Sequence, residues 1–289
     1  MNKLLVTGAN GLLGRQVCID CVANGFKVTA FTRSIPPDAL PHVNYVPFDF
    51  NKPWQEANLP DTADVVIHLA QSPNFRRIPE AAIEVFRVNL ESTARLLDYA
   101  KRKGVKHFVL ASSGGVYRVG SQPLEESAPV RSPGELDYYL ASKLSSEMLV
   151  NNYRAFLRTT ILRFFFVYGP RQNRDMLIPR LLDNISHGRK VSLQGNDGFS
   201  FNPIHVADAS KAVIASVEKT ESSTINIAGP DVLSIRKICK AAGSHMGIQP
   251  VFESIPGKAL SLIGDIGQMK KRLYSPTIRL LDRLYELTA

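Results

Sequence analysis

The chain has 289 residues, 44% of them hydrophobic, and a formal net charge of +9. That length and apolar share suit one α/β domain with an appended lobe, and no stretch is long or apolar enough to span a bilayer. Cys18, Cys21 and Cys239 are the only cysteines, too few for a disulfide framework, and only Asn2 and Lys3 separate Met1 from the first apolar run, so a cytoplasmic protein is expected.

Leu4 to Thr7 reads as a strand that runs into Gly8, Gly11 and Gly14, and an amphipathic helix follows over Leu12–Ala23. Glycines at this spacing between strand and helix allow a tight turn, a close approach of pyrophosphate to the backbone, and tight helix–strand packing. The helix carries a Cys18-x-x-Cys21 spacing, but no second Cys or His pair completes a metal site, so no metal is expected.

Lys27 to Thr32 reads as the second strand. An acid just past it would bind an adenosine ribose and repel a 2′-phosphate, whereas Thr32 and Arg33 stand there, with no carboxylate before Asp38. A guanidinium can fork onto a 2′-phosphate, so NADP is favoured over NAD. Val43 to Pro47 is a third strand ending near Asp49-Phe50, where an acid can meet an adenine amino group. Asp64 to Ala70 is a buried strand in which His68 reads as a core residue. Pro79 to Lys103 has a long helical period whose apolar face is interrupted by the Asn89 amide, which needs partners.

His107 to Ala111 leads into Ser112-Ser113, hydroxyls at a strand's carboxyl end, where open α/β sheets bind ligands. Beyond a proline-punctuated loop, Tyr139 and Lys143 stand four residues apart on one helical face. An ammonium near a tyrosine favours the phenolate, which supplies a general acid or base. Thr160 to Phe166 is a further buried strand, followed by Tyr168-Gly169-Pro170-Arg171. Helices are expected over Met176–His187, His205–Val217 and Ser234–Met246, with strands over Lys190–Leu193 and Thr224–Ala228. The tail offers two amphipathic stripes, Leu260/Ile263/Ile266 and Ile278/Leu281/Leu284/Tyr285, around the basic Lys270-Lys271-Arg272. Lobe packing is the ordinary role of such stripes; an oligomer contact, a lid or a membrane-surface contact is the alternative. The basic residues are otherwise scattered, without a nucleic-acid-binding pattern, so no nucleic-acid partner is expected.

Taken together, Thr7-Gly8-x-x-Gly11-x-x-Gly14, His68-Leu69-Ala70, Asn89 with Thr93, Ser112-Ser113, Tyr139-x-x-x-Lys143, Tyr168-Gly169-Pro170, Ile204-His205-Val206-x-Asp208 and Asn226-Ile227-Ala228-Gly229 carry a resemblance. The chain resembles, nearly end to end, an extended short-chain dehydrogenase/reductase of the NAD-dependent epimerase/dehydratase family. The resemblance implies an α/β fold: a Rossmann-type doubly wound parallel sheet with a smaller C-terminal α/β substrate lobe. The expected dinucleotide domain is 1–166 plus 204–228, and the expected substrate lobe is 167–203 plus 229–289.

The resemblance also implies roles. Tyr139 would exchange a proton with substrate, Lys143 would hold the nicotinamide ribose and lower the Tyr139 pKa, and Ser113 would orient the reacting oxygen. The cofactor, NADP or NAD, would be bound by Gly8, Asn10, Gly11, Leu12, Leu13, Gly14, Thr32, Arg33, Asp49, Phe50, Leu69, Ala70, Asn89, Tyr139, Lys143 and Phe166. Ser113, Arg171, Arg174 and Phe201 are the candidate substrate contacts. Nucleotide-sugar members often have an asparagine where Phe166 stands, and an arginine on the diphosphate near Ser200-Phe201-Asn202-Pro203. The leading expectation is a nucleotide-sugar 4-keto reductase or 4-epimerase, with a homodimer as an allowed assembly. The alternatives are an NADPH-dependent reductase of a non-nucleotide carbonyl and a non-catalytic dinucleotide-binding sensor or assembly subunit.

Overall fold

A computed structural model describes residues 2–120 and 122–288; the domain expectations at residues 1, 121 and 289 lie outside the described residues. The chain divides into two compact units. The first comprises Met1–Val116, Val130–Arg163 and Ser210–Ile225, and the second comprises Tyr117–Pro129, Phe164–Ala209 and Asn226–Ala289.

The first unit is built on β1 (Lys3–Thr7), β2 (Lys27–Thr32), β3 (Val43–Pro47), β4 (Val65–His68), β5 (His107–Ser113), β6 (Arg158–Phe164) and the start of β11 (Ser223–Ile227). These strands form one seven-stranded sheet in the order β3–β2–β1–β4–β5–β6–β11. The four ladders from β3 to β5 are parallel. The winding reverses between β1 and β4, and the crevice beyond the carboxyl ends of strands at such a reversal is where open α/β sheets take ligands. The α/β expectation, a doubly wound parallel sheet, is met.

The helices are α1 (Leu12–Ala23), α2 (Ala82–Val85), α3 (Ser92–Arg102), α4 (Tyr138–Asn152) and the larger part of α6 (Val206–Val217). Leu5, Val66 and Phe108 from the sheet join Leu96, Leu97 and Ala100 from α3 in one buried cluster. Each fully buried leucine or phenylalanine contributes about 1.5–3 kcal/mol relative to an exposed one.

The expected continuous helix over Pro79–Lys103 needs correction. Between α2 and α3 the chain widens into a π turn over Phe86–Glu91. Two hydroxyls compete there for one carbonyl: Asn89 O accepts from Thr93 Oγ1 at 2.7 Å and from Ser146 Oγ at 3.0 Å. Side chains inserted into the helical ladder displace it in this way.

His68 is a core residue, as its apolar neighbours imply, and it is also a polar strut. The Thr7 hydroxyl accepts from the Leu69 and Ala70 amides at 3.2 and 3.1 Å, so its own hydrogen is directed to His68 Nδ1 at 2.7 Å. Nε2 then carries the proton and donates to Ser92 Oγ at 3.0 Å, while the Ser92 hydroxyl donates to Val88 O at 2.6 Å. Desolvation, with a smaller contribution from the Lys143 charge, pulls the imidazole down to about 3. The ring is neutral at neutral pH and ties β1 to β4 and α3.

The second unit contains β7 (Val167–Tyr168) paired with β10 (Ile204–His205), β8 (Val191–Gln194) paired with β13 (Phe252–Ile255), and β9 (Ser200–Phe201) between β12 (Leu233–Ser234) and β14 (Ser261–Leu262). Its helices are α5 (Leu177–Ser186), α7 (Ile235–Met246), α8 (Gly267–Arg272) and α9 (Tyr285–Thr288). Ser234 caps α7 by accepting from Lys237 N at 3.2 Å. Leu181, Leu182 and Ile185 of α5 share a core with Ile238, Cys239 and Ala242 of α7.

The first tail stripe is corrected, and the second in part, since Leu281 and Leu284 pack in the lobe core as expected. Leu260, Ile263 and Ile266 do not lie on a helix: Asn202 clamps the backbone of Gly264, donating to its carbonyl at 2.8 Å and accepting from its amide at 3.0 Å. In the second stripe the buried positions are Leu280, Leu284 and Leu287, which join the α5–α7 core, whereas Tyr285 is 50% exposed. No helix among the described residues is long and apolar enough to cross a membrane.

Candidate active site

Three loops of the first unit leave the carboxyl ends of β1, β4 and β5, and each brings a different chemistry. After β1 comes the glycine turn. Gly8 adopts φ +69°, a conformation that disfavours side chains, and a Cβ on it would lie 2.8 Å from Ala70 N. Gly11 is the N-cap of α1 and has no side chain to offer its first turn. A Cβ on Gly14 would lie 2.1 Å from Gly8 O. The helix therefore begins with uncapped N–H groups behind a backbone without side-chain bulk, which suits a pyrophosphate. A nicotinamide dinucleotide fits this cradle.

Asn10 braces the turn to the end of β2: its Nδ2 donates to Thr32 Oγ1 at 3.1 Å and to Ser34 O at 2.7 Å. Thr32 is buried and its hydroxyl hydrogen-bonds to Ser34 O. Arg33 is exposed beside it. The next acid, Asp38, pairs with Arg15 of α1 at 3.0 Å. Asp49 Oδ1 accepts from Asn51 N at 3.0 Å. The Phe50 ring is committed to the core between Phe48 and Trp54, with centroids 4.8 and 5.7 Å away. Any part that Phe50 plays in binding falls to its backbone. Leu12 and Leu13 are half-buried at the start of α1, and Leu69 and Ala70 follow β4 under the glycine turn.

Asn89 is buried with both amide ends satisfied: Oδ1 accepts from Ser72 N at 3.0 Å and Nδ2 donates to Ser142 Oγ at 3.0 Å. Its side chain fixes the loop after β4 to α4.

The acid/base group comes from β5 and α4. Asp137 caps α4, accepting from Leu140 N at 2.7 Å, and so sets where Tyr139 and Lys143 emerge. Ser113 Oγ accepts from Gly115 N at 3.1 Å and hydrogen-bonds with the Tyr139 phenol, an interaction that lowers the phenol pKa. Tyr139 also donates to Gln71 Oε1 at 3.1 Å and packs on Phe75 with centroids 4.8 Å apart. The Lys143 ammonium donates to Ala111 O at 2.9 Å.

One electrostatic expectation is corrected here. Burial pushes the Tyr139 phenol up to about 12; Ser113 and the Arg76 charge pull it down, and Lys143 is not among the groups that act on it. The Lys143 nitrogen stands 5.9 Å from the center of the Tyr139 ring, directed at a carbonyl rather than at the phenol oxygen. Burial lowers Lys143 itself to about 8, opposed by Glu147.

The second unit holds the remaining expected residues. Arg174 is tied within it: its guanidinium pairs with Asp183 of α5 and donates to Leu287 O at 2.9 Å. Phe201 is fully buried, 4.4 Å from Phe166 and 5.7 Å from Phe199 by ring centroids. Phe201 is a packing residue in this structure, and the Arg174 guanidinium is engaged in an exposed ion pair. Arg171 is exposed at φ +69°, and Phe166, half-buried, has φ +46°. A phenylalanine in the left-handed region is strained, held here by its aromatic neighbours.

Gln71, Phe75, Ser142 and Glu147 belong to the same neighbourhood and were not anticipated. Glu147, four residues past Lys143 on one helix, had a readable spacing; the others had none. No group of metal-ligating side chains gathers among the described residues.

A model of the NAD dependent epimerase/dehydratase family matches residues 4–228, and the chain belongs to that family. It is similar to an uncharacterized UDP-glucose epimerase, YtcB, of Bacillus subtilis, with 27% identity covering 98% of this chain and 95% of the relative. It is 29% identical to a dTDP-glucose 4,6-dehydratase of Streptomyces griseus, covering 97% and 91% of the two chains. Among solved structures, the UDP-glucuronic acid 4-epimerase of Bacillus cereus, in complex with UDP-glucuronic acid and NAD, superposes with a TM-score of 0.86 at 26% identity, over 99% of this chain and 98% of that one. The chain is accordingly an enzyme of nicotinamide-dinucleotide chemistry.

Proposed function

We propose that the chain is a nucleotide-sugar oxidoreductase, a 4-epimerase or 4-keto reductase, acting at a sugar carbinol or carbonyl carbon. One observation carries the reading: the glycine cradle follows β1 and Ser113 ends β5 in the same unit, and Tyr139 and Lys143 come to that strand end from α4, Tyr139 bonded to Ser113 and Lys143 to Ala111 O. The relatives named above are described as acting on UDP- or dTDP-linked sugars.

In this reading the first unit binds the dinucleotide and the second binds the substrate. Gly8, Gly11 and Gly14 take the pyrophosphate, Thr32 and Arg33 the adenosine ribose, Asp49 the adenine, Leu69 and Ala70 the middle of the cofactor, and Lys143 the nicotinamide ribose. When bound, the dinucleotide supplies the hydride acceptor or donor. Tyr139 accepts the proton of the substrate hydroxyl as its C–H bond breaks, and returns it on reduction. Its phenol starts at about 12, so the site must supply positive charge to it during the reaction. The Arg76 charge already acts on the phenol in that sense, and the Ser113 hydrogen bond adds to it. Ser113, already bonded to the phenol, directs the same proton. Arg171 is the proposed substrate cation.

Thr32 and Arg33 in place of an acid support NADP, while the solved relative is described with NAD. The buried free thiols of Cys18, Cys21 and Cys239 suit a reducing cytoplasm. Exposed Ile83 and Phe86 beside α4, together with Met148 on α4, support pairing of two copies.

The test is incubation of purified protein with NAD or NADP(H) and UDP-glucose, UDP-glucuronate or their 4-keto forms, with products separated by chromatography. Formation of the 4-epimer or 4-hydroxy sugar, lost in Tyr139→Phe, is the expected result. Full activity in Tyr139→Phe, or binding of neither dinucleotide, overturns the reading.

A further inference from the structure

Beneath the proposed proton-transfer group lies a set of charges that the reaction as described does not use. Glu147 stands one helical turn beyond Lys143 on α4 and is 2% exposed. Its Oε1 accepts from Ser112 Oγ at 2.5 Å and from Arg163 Nε at 3.0 Å, and its Oε2 accepts from Arg163 Nη2 at 2.6 Å. Arg163 comes from β6 and is 8% exposed; Lys143 is 5% exposed and bonded to Ala111 O, the residue before Ser112. One carboxylate therefore links α4, the end of β5 and β6 in a single buried cluster.

The cluster holds two cations and one anion. Were the ion pair only a filler between sheet and helix, an apolar pair of the same volume would serve with less desolvation. The geometry gives the carboxylate two further tasks. It is the counter-charge for an ammonium that burial would otherwise neutralise. It also fixes the Ser112 side chain, and with it the strand end from which Ser113 reaches the Tyr139 phenol.

We infer that Glu147 is a positioning residue of the site: it keeps Lys143 charged and holds the Ser112–Ser113 strand end against α4. The inference rests on the proposed role of Lys143 toward the cofactor. The groups that face or act on Lys143 are Glu147 and Tyr139 on α4 and His68 on β4, with Arg163 on β6 behind Glu147. His68 is neutral, so Glu147 is the one carboxylate named among them.

The experiment follows the 13Cε resonances of labelled lysine through a pH titration of the protein without substrate or cofactor; Lys143 is the signal missing in Lys143→Arg. Glu147→Gln is expected to move the Lys143 midpoint down by at least one pH unit, a tenfold change in its protonation equilibrium. Glu147→Gln with Arg163→Gln, which leaves no orphaned guanidinium if the single variant fails to fold, is expected to move it the same way. Arg163→Gln alone is expected to move it up. The pH above which NADH affinity falls should follow the same order. An unmoved Lys143 midpoint in a folded variant without Glu147 overturns the inference. The lysine titration decides this even if the protein binds neither dinucleotide, an outcome that would remove the proposed function instead.

Discussion

A methyl group on Gly14 would stand 2.1 Å from the carbonyl oxygen of Gly8, so the two glycines of the turn are pressed backbone to backbone. Gly14→Ala must part α1 from the turn. A stability loss of about 1–3 kcal/mol is expected, as for other overpacked sites, together with weaker dinucleotide binding. Denaturant titration and cofactor fluorescence measure the two. Gly134, which has open space around its Cβ direction, is the control, and Gly134→Ala should change neither.

Tyr139→Phe keeps the ring that packs on Phe75 and removes the oxygen shared with Ser113 and Gln71. The expected outcome is a fall in kcat of about 10²–10⁴-fold with dinucleotide affinity nearly unchanged. Steady-state rates beside an equilibrium cofactor titration separate the two effects.

Arg33→Ala tests the choice of dinucleotide. If the guanidinium meets a 2′-phosphate, its loss removes a charge-assisted contact of about 1.5–3 kcal/mol, or roughly 10- to 100-fold in NADP affinity. NAD affinity should hold. Equal NADP affinity in wild type and variant removes the NADP reading.

Acid should unfold the first unit in a defined window. The folded-state imidazoles of His68 and His107 are lowered by desolvation to about 3 and about 4. Below pH ~6.5 the unfolded chain takes up protons that the folded chain refuses, so stability falls as pH drops from about 6.5 toward those values. Each site contributes a slope of up to about 1.4 kcal/mol per pH unit. His68→Gln should be less stable at pH 7, since the Thr7–His68–Ser92 strut is broken, yet lose less stability between pH 6.5 and 4 than wild type. Thermal melts across that range decide it, and parallel curves would refute the assignment.

Arg171 and Arg174, three residues apart, should separate cleanly. Arg174 is spent on Asp183 and Leu287 O, so Arg174→Ala should cost below about 1 kcal/mol of stability, as exposed ion pairs do, and leave KM unchanged. Arg171→Ala should raise KM for a nucleotide sugar. A raised KM in Arg174→Ala would return that residue to the substrate site.

The parallel sheet and its opening strand–turn–helix were legible because local patterns encode them. Continuous apolar runs such as Val65–Ala70 imply strands buried on both faces, and the Gly8–Gly14 spacing implies a strand–turn–helix. The tail was misread because periodicity alone does not tell a buried turn from a helix. Asn202, more than fifty residues upstream, holds Gly264 extended, and no local signal announces it. The partners of Arg174 and Phe201 were illegible for a related reason: composition offers a cation or an aromatic ring, and only the fold shows that one pairs with Asp183 and the other is buried.

The sequence by itself determined the family, the parallel α/β sheet and the residue types that meet at its carboxyl edge, because each depends on short spacings that fix backbone geometry. The tertiary structure alone decided the electrostatics. Desolvation depends on everything packed around a group, so the raised Tyr139 phenol, the lowered Lys143 ammonium and the neutral His68 could not be read from neighbours in the chain. The same holds for the Ser112–Glu147–Arg163 cluster, whose three members come from separate elements and meet only when β5, α4 and β6 are folded together.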